Sequence, residues 1–81
     1  MPYDRLTDLP RTVRNVLPVR AQEVYRAAFN YVWEWYGHDE QRAHRVAWAA
    51  VKAEFERDPA TGEWVSRGPV EEDAVPAAQR N

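Results

Sequence analysis

The sequence predicts a mainly α fold: a three-helix domain with a small two-stranded β-ribbon near the chain ends. Three observations predict it. Pro10, Pro18, Gly37, Pro59 and Gly62 divide the chain into segments of helical length. Within the segments, apolar residues recur at i, i+3 and i+4, the spacing of one helix face. Residues Glu63-Trp64-Val65-Ser66-Arg67 alternate instead, as a short strand does.

The first helix is expected within residues 7–17. Asp8 is a good N-cap type, and Pro10 is tolerated in a first turn, where its missing N–H is not needed. Val13, Val16 and Leu17 share a face, and Pro18 disfavours helical geometry at Leu17. The second helix is expected from Val19 to Tyr36, a run without Gly or Pro. Val24, Ala28, Tyr31, Val32, Trp35 and Tyr36 form one stripe, and Phe29 and Trp33 extend the apolar surface round a second side, with Tyr25 between. So many rings mark this helix as the central element. Gly37 suits a left-handed residue just past its end. Asp39 is an N-cap candidate for the third helix, expected from about Glu40 to Arg57, with Glu40 complementing the dipole. Ala43, Val46, Ala47, Ala50, Val51, Glu54 and Phe55 trace its inner face, and Asp58-Pro59 stops it. Ala60-Thr61-Gly62 is a turn. The strand at 63–67 needs a partner, and Pro2-Tyr3-Asp4 is the other extended candidate. The domain is therefore expected over residues 1–67, with a disordered acidic and Ala-rich tail over 68–81.

Length and composition bound the function. A chain of 81 residues is one domain at most and buries about 60–65% of its unfolded surface. There is no Cys, so disulfides, zinc–thiolate sites and thiol nucleophiles are excluded. Four Trp and four Tyr supply bulky area for a small core. The net charge of −2 counts against a non-specific nucleic-acid binder, which would be basic. No apolar run approaches the ~20 residues of a membrane span. Met1-Pro2-Tyr3-Asp4-Arg5 lacks an apolar h-region, so no secretory signal is expected and the location is read as cytoplasmic.

Candidate chemistry is sparse. His38, Asp39, Glu40 and His44 are metal-ligand types, and Glu40 and His44 are four apart on one face. Two His without a dense carboxylate set read better as a helix cap plus an exposed pair. Glu34 is flanked by Trp33 and Trp35, but neighbours in sequence point elsewhere on a helix. Neither a Ser–His–Asp order nor a phosphate-binding Gly loop is present. No enzyme activity, catalytic residue, metal or cofactor is expected. Arg11 and Arg14, three apart, share a face of the first helix, and Arg42 and Arg45 do so on the third. Such faces suit an acidic partner or phosphates. Trp33 and Trp35 lie about 200° apart on a helix, so one is exposed unless both sides are covered. An exposed Trp beside Arg is a usual interface anchor. Arg11, Arg14, Arg42, Arg45 and Trp35 are therefore the candidate partner-binding residues.

Taken in order, Met1-Pro2-Tyr3, Asp8-Leu9-Pro10, Val16-Leu17-Pro18, Ala21-Gln22, Tyr25, Ala28-Phe29-Asn30, Trp33, Tyr36 and Trp64 carry a family resemblance. It is densest at Ala43-His44-Arg45-Val46-Ala47-Trp48-Ala49-Ala50-Val51-Lys52, followed by Glu54 and Phe55. The chain resembles the ChaB family of small bacterial proteins, held to regulate cation transport. The resemblance implies a three-helix fold with a small sheet near the chain ends and no catalytic residues. It also implies a role as an accessory protein that regulates a sodium/calcium–proton antiporter, with the antiporter's cytosolic face as partner. Two features depart from the family: a helix 2–3 linker shortened to Gly37-His38-Asp39-Glu40-Gln41-Arg42, and the tail with Glu71-Glu72-Asp73. The alternative function is a nucleic-acid-associated module using the Arg faces.

Overall fold

A computed structural model describes residues 2–67. The tail expected over 68–81 lies outside the described residues. The order is a 3-10 turn (Leu6–Asp8), α1 (Arg11–Arg14), α2 (Val19–Trp35), α3 (Glu40–Glu54), β1 (Phe55–Arg57) and β2 (Trp64–Ser66).

The first segment is shorter than its pattern implied. Asp8 does not cap α1: it closes the 3-10 turn, where its carboxylate accepts the Arg5 N–H at 3.1 Å. Pro10 is the residue at the N-cap of α1. Val13 and Leu17 are buried, whereas Val16 faces solvent. Gln22, in the first turn of α2, reaches back and donates to the Leu17 carbonyl at 2.8 Å and, at 3.4 Å, to the carbonyl of Arg14, the last residue of α1.

α2 is the central element. Its buried face is Ala21, Tyr25, Phe29 and Val32, with Val24, Ala28 and Trp33 half-buried at its margins. Tyr31, Trp35 and Tyr36, placed on the inner stripe by the sequence pattern, are exposed. Rings occur all round this helix, so two faces fit a 3.6-residue period, and packing chose the one carrying Tyr25 and Phe29. The chain leaves α2 through Gly37 and His38, both at positive φ (74° and 60°). Two successive left-handed residues reverse the chain at once. Asp39 then caps α3 by accepting the Arg42 N–H at 3.1 Å.

α3 packs along α2 through Ala43, Ala47 and Val51, all fully buried. Small residues at four-residue spacing let the two helices lie close. Val46 and Glu54, expected on this face, are exposed.

One strand of the ribbon forms where expected, at Trp64–Ser66, but its partner is not Pro2-Tyr3-Asp4. α3 ends at Glu54, and Phe55–Arg57 become β1, paired antiparallel with β2 in the register Phe55↔Ser66, Glu56↔Val65, Arg57↔Trp64. The turn Asp58–Glu63 is locked by Gly62 at φ 78° and by the Ala60 N–H donating to the Asp58 carboxylate at 2.9 Å. A partner joined by a tight hairpin costs less closure entropy than one across the whole chain. Phe55 stays buried as the chain changes from helix to strand. The N-terminal arm Pro2-Tyr3-Asp4 is held instead by the buried side chain of Asn30. Its carbonyl oxygen accepts the Tyr3 N–H at 3.2 Å, and its amide donates to the Tyr3 carbonyl at 2.8 Å. One amide side chain thus replaces the strand partner.

Candidate interaction site

Two aromatic chains run through the molecule. Tyr3 packs on Phe29 with ring centroids 4.8 Å apart, Phe29 stacks on Trp33 at 6.3 Å, and Trp33 stacks on His38 at 4.9 Å. Tyr25 meets Trp48 edge-on at 5.8 Å, and Trp48 packs on Trp64 of β2 at 5.7 Å. The first chain fixes the arm and the α2–α3 turn. The second ties the ribbon to the helices.

Between the arm, α2 and the first half of α3 lies a cleft of about 490 Å³. Its floor is Tyr3, Pro10, Tyr25 and Phe29, and its polar wall is Glu40, Gln41, His44 and Arg45. The wall follows from helix spacing: residues 40, 41, 44 and 45 lie on one side of α3. His44 Nδ1 sits 2.7 Å from the Tyr25 hydroxyl. Burial pushes the Tyr25 phenol up to about 12, with smaller contributions from Tyr3 and the Glu40 carboxylate. The phenol thus keeps its proton through the neutral range, and the His44 tautomer decides which of the two groups donates in the bond. Tyr3 is raised as well, by burial and then by Glu40.

The candidate residues scatter over the surface rather than converging on one face. Arg11 and Arg14 are on α1, and both are exposed. Arg14 is also structural, because its Nε donates to the Leu9 carbonyl at 3.2 Å. Arg45 stands on the wall of the cleft, opposite Pro10, the neighbour of Arg11. Arg42 lies over the Tyr36 ring, 4.6 Å from its centroid, in a cation–π contact. Among the described residues none of Arg11, Arg42 and Arg45 joins an ion pair; Arg67 with Glu56 at 3.5 Å does. Trp35 is 69% exposed and lies apart from the cleft, beside Tyr31 on the outer side of α2. The possible metal set disperses: His38 stacks on Trp33, Asp39 caps α3 and His44 bonds Tyr25.

The sequence pattern missed Asn30, Arg26 and the Tyr25–His44 pair. Arg26 donates to the carbonyls of Tyr3 and Asp4 at 3.2 and 3.1 Å. Asn30 carried a signal: an amide among rings on a central helix needs partners if it is buried.

This framework is a helical pair with a docked arm, a hairpin and a ring-floored cleft with Arg45 on its wall. The model of the ChaB family matches residues 9–67. The chain belongs to the ChaB family. It is 47% identical over 64 residues to the protein named "Putative cation transport regulator ChaB" of Escherichia coli strain K12, a match covering 68% of this chain and 84% of that protein. The protein of the same name from Shigella flexneri gives the same figures. The NMR solution structure of a protein of that name is 39% identical, with a TM-score of 0.71, covering 83% of this chain and all of the other. The fold class read from the sequence is that of this relative.

Proposed function

We propose that the domain regulates a cation antiporter by docking on its cytosolic face, without catalysing a reaction of its own. The observation that carries this reading is the cleft at the arm, apolar in its floor, with Arg45 on its wall; Arg11 follows the lining residue Pro10 in the chain, and Arg42 lies one turn before Arg45 on α3. Such a surface fits a partner segment with an apolar side chain for the floor and carboxylates for the guanidinium groups. The names of the relatives supply the process, cation transport. Three polar groups near the cleft are engaged within the fold: His44 with Tyr25, and Asn30 and Arg26 with the arm. Among the described residues no helix is long and apolar enough to cross a membrane.

The test is affinity capture from detergent-solubilised membranes of the native host, with the retained transporter identified by mass spectrometry. Wild type should retain a cation antiporter. The triple variant Arg11→Glu, Arg42→Glu, Arg45→Glu should lose it by tenfold or more, with the difference shrinking at high salt. Equal retention by two proteins with the same circular dichroism would rule out the arginine surface. A salt-sensitive shift of DNA or RNA in a gel, without antiporter retention, would favour the nucleic-acid alternative.

A further inference from the structure

We infer that the outward face of α2 is a homodimer interface, on which two copies of this chain cross antiparallel with Ala27 at the crossing point. This face lies opposite the buried row Ala21, Tyr25, Phe29, Val32, and no other element of the described structure covers it. It carries Arg20, Glu23, Ala27, Tyr31 and Glu34, all exposed, with Val19 and Trp35 at its ends, 59% and 69% exposed. A shallow groove of about 510 Å³ runs beside Ala27, bordered by Tyr31, Glu34 and Trp35.

The occupant follows from the order of the charges. Arg20 and Glu34 stand seven residues either side of Ala27, about 10 Å along the axis in each direction. Seven residues is close to two turns, so all three lie on one line of the helix. In an antiparallel pair crossing at Ala27, Arg20 is level with Glu34 of the partner subunit, and the symmetric contact forms at the other end. Glu23 is then level with Tyr31 of the partner subunit, so no carboxylates are opposed. A parallel pair would set Arg20 on Arg20 and Glu34 on Glu34. A surface that matches itself after a half-turn is what an isologous dimer requires. The small side chain of Ala27 lets the backbones approach, and the groove beside it takes side chains of the second helix. The face includes none of Arg11, Arg42 and Arg45, so this inference does not depend on the antiporter reading.

Sedimentation equilibrium of the full chain, from micromolar to near-millimolar concentration, tests it. Wild type should show a monomer–dimer equilibrium that weakens as salt is raised. Glu34→Arg and Arg20→Glu each place like charges opposite one another twice, and each should weaken dimerisation by roughly tenfold or more. The double variant Arg20→Glu, Glu34→Arg swaps the pairs and should restore it. Circular dichroism checks the fold of each variant, and dilution-dependent NMR shifts of the wild type should map to residues 19–35. A monomer at every concentration, a dimer that ignores both single reversals, or dilution shifts confined to α3 would overturn the proposal.

Discussion

Asn30 shows how one side chain can stand in for an element. Its two bonds to Tyr3 hold the arm against α2. Asn30→Ala should cost about 2–3 kcal/mol, because two backbone groups lose their partners, and the arm amides should lose protection from hydrogen exchange. Tyr25 makes a second residue-scale prediction. Its folded pKa of about 12 lies above the ordinary value of 10.0. The folded state therefore holds this proton more tightly than the unfolded one. That stabilisation is fully present below pH 10 and is lost as pH rises towards about 12. Urea melts should show stability falling across this window, and falling less in Tyr25→Phe. Trp48 is half-buried between Tyr25 and Trp64. Trp48→Ala should cost about 2–3 kcal/mol, less than the about 3–5 of a fully buried ring. At this scale, legibility followed local chemistry. The roles of Gly37 and Asp39 need only their immediate neighbours and were readable. Asn30, Arg26 and His44 act on residues 19 to 27 positions away, which no local pattern reports.

Among the elements, the two long helices were the most legible, since each is a long periodic run closed by a turn signal. The change at Phe55 was not legible. No Pro or Gly marks it, and Ala47, Val51 and Phe55 continue the helical spacing without a break. Pairing with Trp64–Ser66 overrides that spacing: Arg67 N–H donates to the Glu54 carbonyl at 2.9 Å, and Arg67 Nε to the Lys52 carbonyl at 2.8 Å. Arg67, the residue after β2, thus takes up carbonyls that the end of α3 leaves free. The reversal before α3 rests on backbone conformation. A Cβ at Gly37 would meet nothing within 4 Å, but its φ of 74° is unfavourable for any L side chain. Gly37→Ala should therefore lower stability by about 1 kcal/mol without changing the fold, read as a shifted denaturation midpoint at constant m-value.

The whole molecule presents two surface features. The arm side holds a cleft with Arg45 on its wall, and the outer side of α2 holds a self-matching row of charges. The candidate residues named from sequence are dispersed: Arg45 lines the cleft, Arg42 lies over the Tyr36 ring, Arg11 follows Pro10 on α1, Trp35 borders the groove on α2, and Arg14 is partly committed to the Leu9 carbonyl. Sequence spacing supplied the residue types but not their grouping, which depends on how α1, the arm and α3 meet. The most direct measurement is cation flux by the purified antiporter in proteoliposomes, with the domain added on the cytosolic side. Wild-type domain should change the transport rate saturably. The folded triple variant Arg11→Glu, Arg42→Glu, Arg45→Glu should need at least about tenfold more protein for the same effect. Transport unchanged by any concentration of wild-type domain, or changed equally by the variant, would contradict regulation by charge-guided docking.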